Sequence, residues 1–161
     1  MRVEPQGPKE CMLASIGALV GAPLAEVRAC AMFHANRNKK WYQNAIIWED
    51  VCSFPALYWG CIASVCYSFD LDPSVCLPNV AASRRNYLPN IGKGLISIAY
   101  TKKPMFGVAK EIGHVAPYEN GQIWDPDFVA VRGYSPETLE QFTSKYKDSK
   151  LLFITIMEPK Q

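Results

Sequence analysis

Six cysteines and two histidines are spread over the chain, the cysteines at positions 11, 30, 52, 61, 66 and 76 and the histidines at 34 and 114. A thiol becomes a nucleophile where something holds its thiolate, where an imidazole takes its proton, and where an acceptor fixes the tautomer of that imidazole. Cys11 differs from the other five cysteines by position. In QGPKECMLASIGAL the Gly7-Pro8 pair makes a turn before an apolar helical run, so Cys11 falls in or near the first helical turn. Backbone N–H groups there favour a thiolate and can donate to a developing oxyanion. Glu10 acts in the opposite sense, because an adjacent carboxylate disfavours a second negative charge. The remaining cysteines read as small core residues. With no CxxC pair and no histidine at ligand spacing, neither a metal nor a cofactor is expected. Gly92-Lys93-Gly94 lacks the spacing and the following Ser/Thr of a phosphate loop.

His34 falls in a helical stretch among apolar residues and reads as a boundary residue. His114 opens the stretch GHVAPYENGQIWDPD, in which Asn120-Gly121 is the signal of a two-residue hairpin loop. If Glu119 faces Gln122, counting back pairs His114 with Asp127 and leaves Asp125 diagonally across on the same face. Both aspartates are candidates to orient the imidazole, and a bulge would change the register. Trp124 then points to the opposite face and reads as packing, while Trp41, Tyr42, Trp48, Tyr58 and Trp59 are core or groove aromatics.

The elements that must position these groups follow from pattern. KECMLASIGALVG predicts a buried helix ending at Gly21, and PLAEVRACAMFHANR a second with apolar positions 24, 27, 31 and 34. Trp41 to about Phe69 predicts one or two more helices, and DLDPSVCLPNVAASRRNYLPN a Pro/Asn-rich connection. From Gly94 the pattern changes. GLISIAY, GHVAPYE, QIWDP and KLLFITIME predict strands, and SPETLEQFTSKYKD a helix capped by Ser135 with a stripe at Leu139, Phe142 and Tyr146. Helices followed by an antiparallel sheet is the α+β pattern. At 161 residues with 49% hydrophobic content the chain supports one core, so a single domain over 1–161 is expected, helical to about residue 90 and sheet from about 91.

Charge excludes some classes. The formal net charge of +2 comes from 17 basic and 15 acidic residues spread along the chain, so no footprint for nucleic acid or an anionic membrane stands out. NRNKKWY and ASRRNY read as solvated basic loops. The apolar run near the start follows Glu4, two prolines and Glu10 rather than a basic segment, so it reads as neither a signal peptide nor a span, and a cytoplasmic location is expected.

Taken together, Gln6, Cys11, Gly113-His114 and Asp125-Pro126, with GLISIAY just ahead of the His strand, resemble the papain-like cysteine peptidase superfamily. The layout is most similar to the compact bacteriocin-leader-processing (double-glycine) peptidases. The resemblance spans the chain in order, although its specific motifs occupy only about twenty residues. It implies a papain-like fold in which a helical N-terminal half packs on a C-terminal antiparallel sheet. It also implies Cys11 as nucleophile, His114 as base and then acid, Asp125 as the orienting residue with Asp127 as alternative, and an oxyanion hole from the Gln6 amide and the Cys11 backbone N–H. The Gln-to-Cys spacing is one shorter than in papain, and the His-to-Asp spacing is shorter than in many relatives. The implied function is cleavage of a peptide or isopeptide bond in a protein or peptide substrate through an acyl-thioester. The alternatives are acyl transfer or deamidation of transglutaminase-like type, and a catalytically silent papain-fold binding or assembly module.

Overall fold

In the computed structural model, residues 1–37, 48, 51, 55–78 and 92–161 are described. NRNKKWY beyond Arg37, Trp41, Tyr42, Cys52 and ASRRNY lie outside these residues, as does most of the helical stretch expected before Pro55.

Among the described residues three helices come first: α1 (Cys11–Val20), α2 (Leu24–Arg37) and α3 (Pro55–Ser68). Gly21 ends α1 in the left-handed region at φ 72°, and its N–H donates to the Gly17 carbonyl. That termination, with Pro23 next, turns the chain sharply into α2. The buried stripe of α2 is Leu24, Val27, Ala31 and Ala35, so the fourth apolar position is 35 and not 34. His34 sits beside it and bonds Ser68 at 2.8 Å, which ties α2 to the end of α3.

Five strands follow among the described residues: β1 (Leu71–Pro78), β2 (Lys93–Lys102), β3 (Lys110–Glu119), β4 (Gln122–Ile123) and β5 (Lys150–Pro159), with helix α4 (Leu139–Ser144) between the last two. They form one antiparallel sheet in the order β1-β5-β2-β3-β4. The architecture is thus α+β. Three expectations are corrected. Residues 71–78 are a strand and not a connection, so the sheet begins well before residue 91. Local preference there is weak, but pairing with β5 supplies the missing stabilisation, and β1 tolerates its prolines because it is an edge strand with an irregularity between Asp72 and Val75. QIWDP contributes only two residues to the ladder. The last helix starts at Leu139 with Thr138 as its cap in a reciprocal capping box with Gln141, and not at Ser135. Glu137 exchanges backbone bonds with Ile123 at 2.8 and 2.9 Å, which commits the segment before Thr138 to the sheet edge.

Successive residues of β2 feed two cores. Leu95 joins Val115, Met157 and the α1, α2 and α3 side chains, including Leu13, Ile16, Val27 and Val65. Ile96 and Ile98 join Ala116, Tyr118, Ile123, Ile154 and, from α4 and the residues after it, Leu139, Phe142 and Tyr146. The sheet therefore lies between the three helices on one face and α4 on the other. No single helix among the described residues is long and apolar enough to cross a membrane.

Gly94 marks the tightest point of the sheet. A β-carbon there would stand 2.0 Å from the Thr155 carbonyl oxygen and 2.9 Å from the Tyr118 ring. Gly94→Ala is expected to lower stability by about 3 kcal/mol, the upper end of overpacking costs, read as a lower urea midpoint at unchanged slope.

Candidate active site

The hairpin after β3 turns at Asn120-Gly121, both at positive φ (49° and 82°), and pairs Glu119 with Gln122 and Tyr118 with Ile123. The next rung is half made: the Trp124 N–H donates to the Pro117 carbonyl at 3.1 Å, but Pro117 has no N–H to return. There the ladder ends, and the expected facing of His114 and Asp127 does not occur. Instead the chain turns through Asp125, whose carbonyl accepts from the Phe128 N–H at 3.1 Å and whose Oδ1 accepts from the Asp127 N–H at 3.0 Å. Asp125 points inward with no exposed surface, and Asp127 is exposed.

Asp125 receives four donors. Oδ1 lies 2.9 Å from His114 Nε2, and Oδ2 accepts from Lys145 Nζ at 2.8 Å and from the Tyr146 hydroxyl at 2.5 Å. The Asp127 N–H completes the set. Burial pushes the Asp125 carboxyl up, but the bond and charge of His114, followed by Lys145 and Tyr146, outweigh it and bring the carboxyl down to about 2. Lys145 is itself held by Glu137 at 2.5 Å and by the Phe128 ring, 3.9 Å from its centroid. The Tyr146 hydroxyl, raised by burial and by Asp125, stays a donor.

His114 is buried against Phe142 and Tyr146, with ring centroids at 6.1 and 5.1 Å. Burial lowers the imidazole, and hydrogen bonds to Asp125 and to Cys11 reverse this, raising it from an ordinary 6.5 to about 9. Since Nε2 serves Asp125, Nδ1 is the nitrogen left for Cys11. The three side chains come from different elements: Cys11 from the start of α1, His114 from mid-β3 and Asp125 from the turn after β4.

Their meeting depends on the edge of β3. β4 covers only the last two residues of that edge, and α1 occupies the part left open. The Ser15 hydroxyl bonds the Cys11 carbonyl at 2.6 Å and reaches the Val115 carbonyl at 3.3 Å, which pins the first turn of α1 beside His114. Ahead of α1 the Glu10 N–H closes a turn onto the Gly7 carbonyl, Lys9 sits at φ 58°, and the Lys9 carbonyl accepts from the Trp48 indole. The Glu10 carboxylate is gripped by Arg28 of α2 through two bonds of 2.8 Å, and a β-carbon at Gly7 would touch it at 2.9 Å. The Gln6 N–H donates to the Pro126 carbonyl at 3.3 Å, and its side-chain Oε1 is buried without a partner.

Among the described cysteines Cys11 and Cys30 are partly exposed, and Cys61 and Cys66 are buried. Cys61 donates to the Ala31 carbonyl, and burial pushes the Cys66 thiol up to about 12, so neither is placed to react. Trp48 is core and touches Tyr58. Sequence reasoning missed Lys145 and Tyr146. Tyr146 closes an apolar stripe and reads as packing, and nothing local marks Lys145 as other than a surface cation. Comparison of the chain with models of known families, with curated proteins and with solved structures finds no match.

Removing the Asp125 carboxylate strands buried donors, so Asp125→Ala is expected to cost about 3 kcal/mol in urea unfolding, with Asp127→Ala within about 0.5 kcal/mol of wild type. A second outcome concerns pH. Because the imidazole is raised on folding, His114 adds stability that is complete below pH 6.5 and lost as pH rises through about 9. Thermal melts across that window should fall for the wild type and flatten for His114→Ala.

Proposed function

We propose that this chain is a thiol hydrolase of papain-like organisation, cleaving a peptide or isopeptide bond. The observation that carries the reading is the meeting of a partly exposed Cys11, a buried His114 and a fully buried Asp125, with His114 Nε2 2.9 Å from the carboxylate and the Cys11 thiol acting on the same imidazole. Structural histidines rarely combine a partly exposed thiol on one nitrogen with a buried carboxylate on the other. The carboxylate holds the Nε2–H, which leaves Nδ1 to hold the proton that Cys11 gives up. The Cys11 sulfur then attacks the carbonyl carbon. His114 returns the proton to the departing amine as the C–N bond breaks, leaving an acyl-thioester. Water, deprotonated by the same imidazole, releases the acid and restores the thiol.

The oxyanion is assigned to the Cys11 backbone N–H, free of an intrahelical acceptor in the first turn, and to the Gln6 amide. In that role Gln6 acts through its Nε2–H₂ group, the donor end of the amide. The pairing of Glu10 with Arg28 argues against a silent module, because the carboxylate that would oppose the thiolate is bound elsewhere.

The test is iodoacetamide labelling of the native protein across pH with peptide mapping, followed by incubation with a peptide pool in H₂¹⁸O. Cys11 should label fastest near neutral pH and slow by at least tenfold in His114→Ala, as expected for loss of a general base. Cleavage should place ¹⁸O in new carboxyl termini and vanish in Cys11→Ala, with Cys61→Ala unaffected. New amides with an added amine and no ¹⁸O would replace hydrolysis by acyl transfer. A Cys11 no faster than Cys30 would sink the assignment.

A further inference from the structure

The β2–β3 hairpin ends in Lys102-Lys103-Pro104-Met105-Phe106-Gly107-Val108-Ala109-Lys110, and its tip is unusual in what it exposes. Met105, Phe106 and Val108 are 91, 87 and 83% exposed, the three most exposed large apolar side chains among the described residues. Gly107 between them holds φ 109°, a backbone state that side-chain-bearing residues avoid, so the tip has a built shape that directs apolar groups outward. The lysines at 102, 103 and 110 are all exposed, and none forms an ion pair among the described residues. Glu111, next to Lys110 in the chain, is engaged by Lys150 at 3.5 Å.

We infer that this tip is an anchor for an anionic lipid surface, with Met105, Phe106 and Val108 entering the headgroup and acyl boundary and Lys102, Lys103 and Lys110 resting on the phosphates. Even distribution of charge along the sequence hides this cluster, because hairpin closure is what brings Lys102 opposite Lys110. A protein partner fits less well. Lysine is depleted at protein interfaces, and the seven-residue loop between Lys102 and Lys110 falls far short of the about 800 Å² that each side of a standard interface contributes. A bilayer asks for neither a groove nor a large area. It takes a short apolar wedge under a basic collar, each lysine strengthening binding about fivefold near an anionic surface.

The same hairpin carries His114, opposite Ile98 and four rungs from the Lys102–Lys110 pair. At about 3.3 Å per residue the separation is roughly 13 Å, so an anchored tip holds the Cys11 site close to the membrane surface. The anchor does not depend on turnover at that site.

The test is co-sedimentation of the full chain with vesicles of phosphatidylcholine alone and with added phosphatidylserine, at low and high salt. Wild type should sediment with the anionic vesicles only, and less so at high salt. Met105→Ser/Phe106→Ser should weaken binding at least tenfold, and Lys102→Ala/Lys103→Ala/Lys110→Ala on the order of 100-fold. All five positions are exposed, and unchanged melting curves would verify that the variants fold. The proposal is overturned if wild type ignores anionic vesicles at low salt, or if the serine double variant binds them as well as wild type. It is equally overturned if the tip instead drives self-association that the double variant abolishes, without vesicle binding.

Discussion

A carboxylate with no exposed surface persists in a folded chain only if its charge is matched, and Asp125 is matched from every side. One oxygen serves the His114 ring and the Asp127 backbone, the other Lys145 and Tyr146. These donors come from a strand, a turn and the end of a short helix, so the carboxylate fixes where all three sit. Helix α4 is six residues long, and its contribution is to bury Leu139 and Phe142 while delivering Lys145 and Tyr146 to the same point. The imidazole is oriented because its Nε2 is one of the groups bonded to that carboxylate.

The second constraint is an incomplete edge. A full β3–β4 ladder would have set Asp127 opposite His114 and closed the edge that α1 occupies. Pro117 stops this by lacking one N–H, and the edge is divided between two residues of β4 and the Ser15 contact from α1. A helix from one face and a histidine on the other face can meet only past such an uncovered edge. The pairing of Glu10 with Arg28 compensates the carboxylate next to Cys11 in the chain, at the start of α1.

Much of this was legible in the residues. Cys11 at a helix start, His114 on a strand, the two-residue turn at Asn120-Gly121, the end of α1 at Gly21 and three of the four long strands follow from local pattern, because each is set by neighbours within a few positions. β1 was not legible, because its residues are poor strand formers that become a strand only by pairing with β5, some eighty residues later in the chain. The start of α4 was misplaced because Ser135-Pro136 is a valid local cap, and only the bridge of Glu137 to Ile123 uses those residues otherwise.

By itself the sequence determined which side chains could do chemistry and that Cys11 would sit at a helix start and His114 on a strand, since helix starts, hairpin turns and apolar periodicity are short-range properties. The choice between two aspartates two residues apart was beyond it. That was decided by the missing N–H of Pro117 and by cations that arrive from residue 145, and the release of Cys11 from the charge of Glu10 was decided by an arginine on the next helix. Long-range pairing of buried charges has no signature in local sequence, because it depends on which distant groups the packed core leaves within three ångströms of one another.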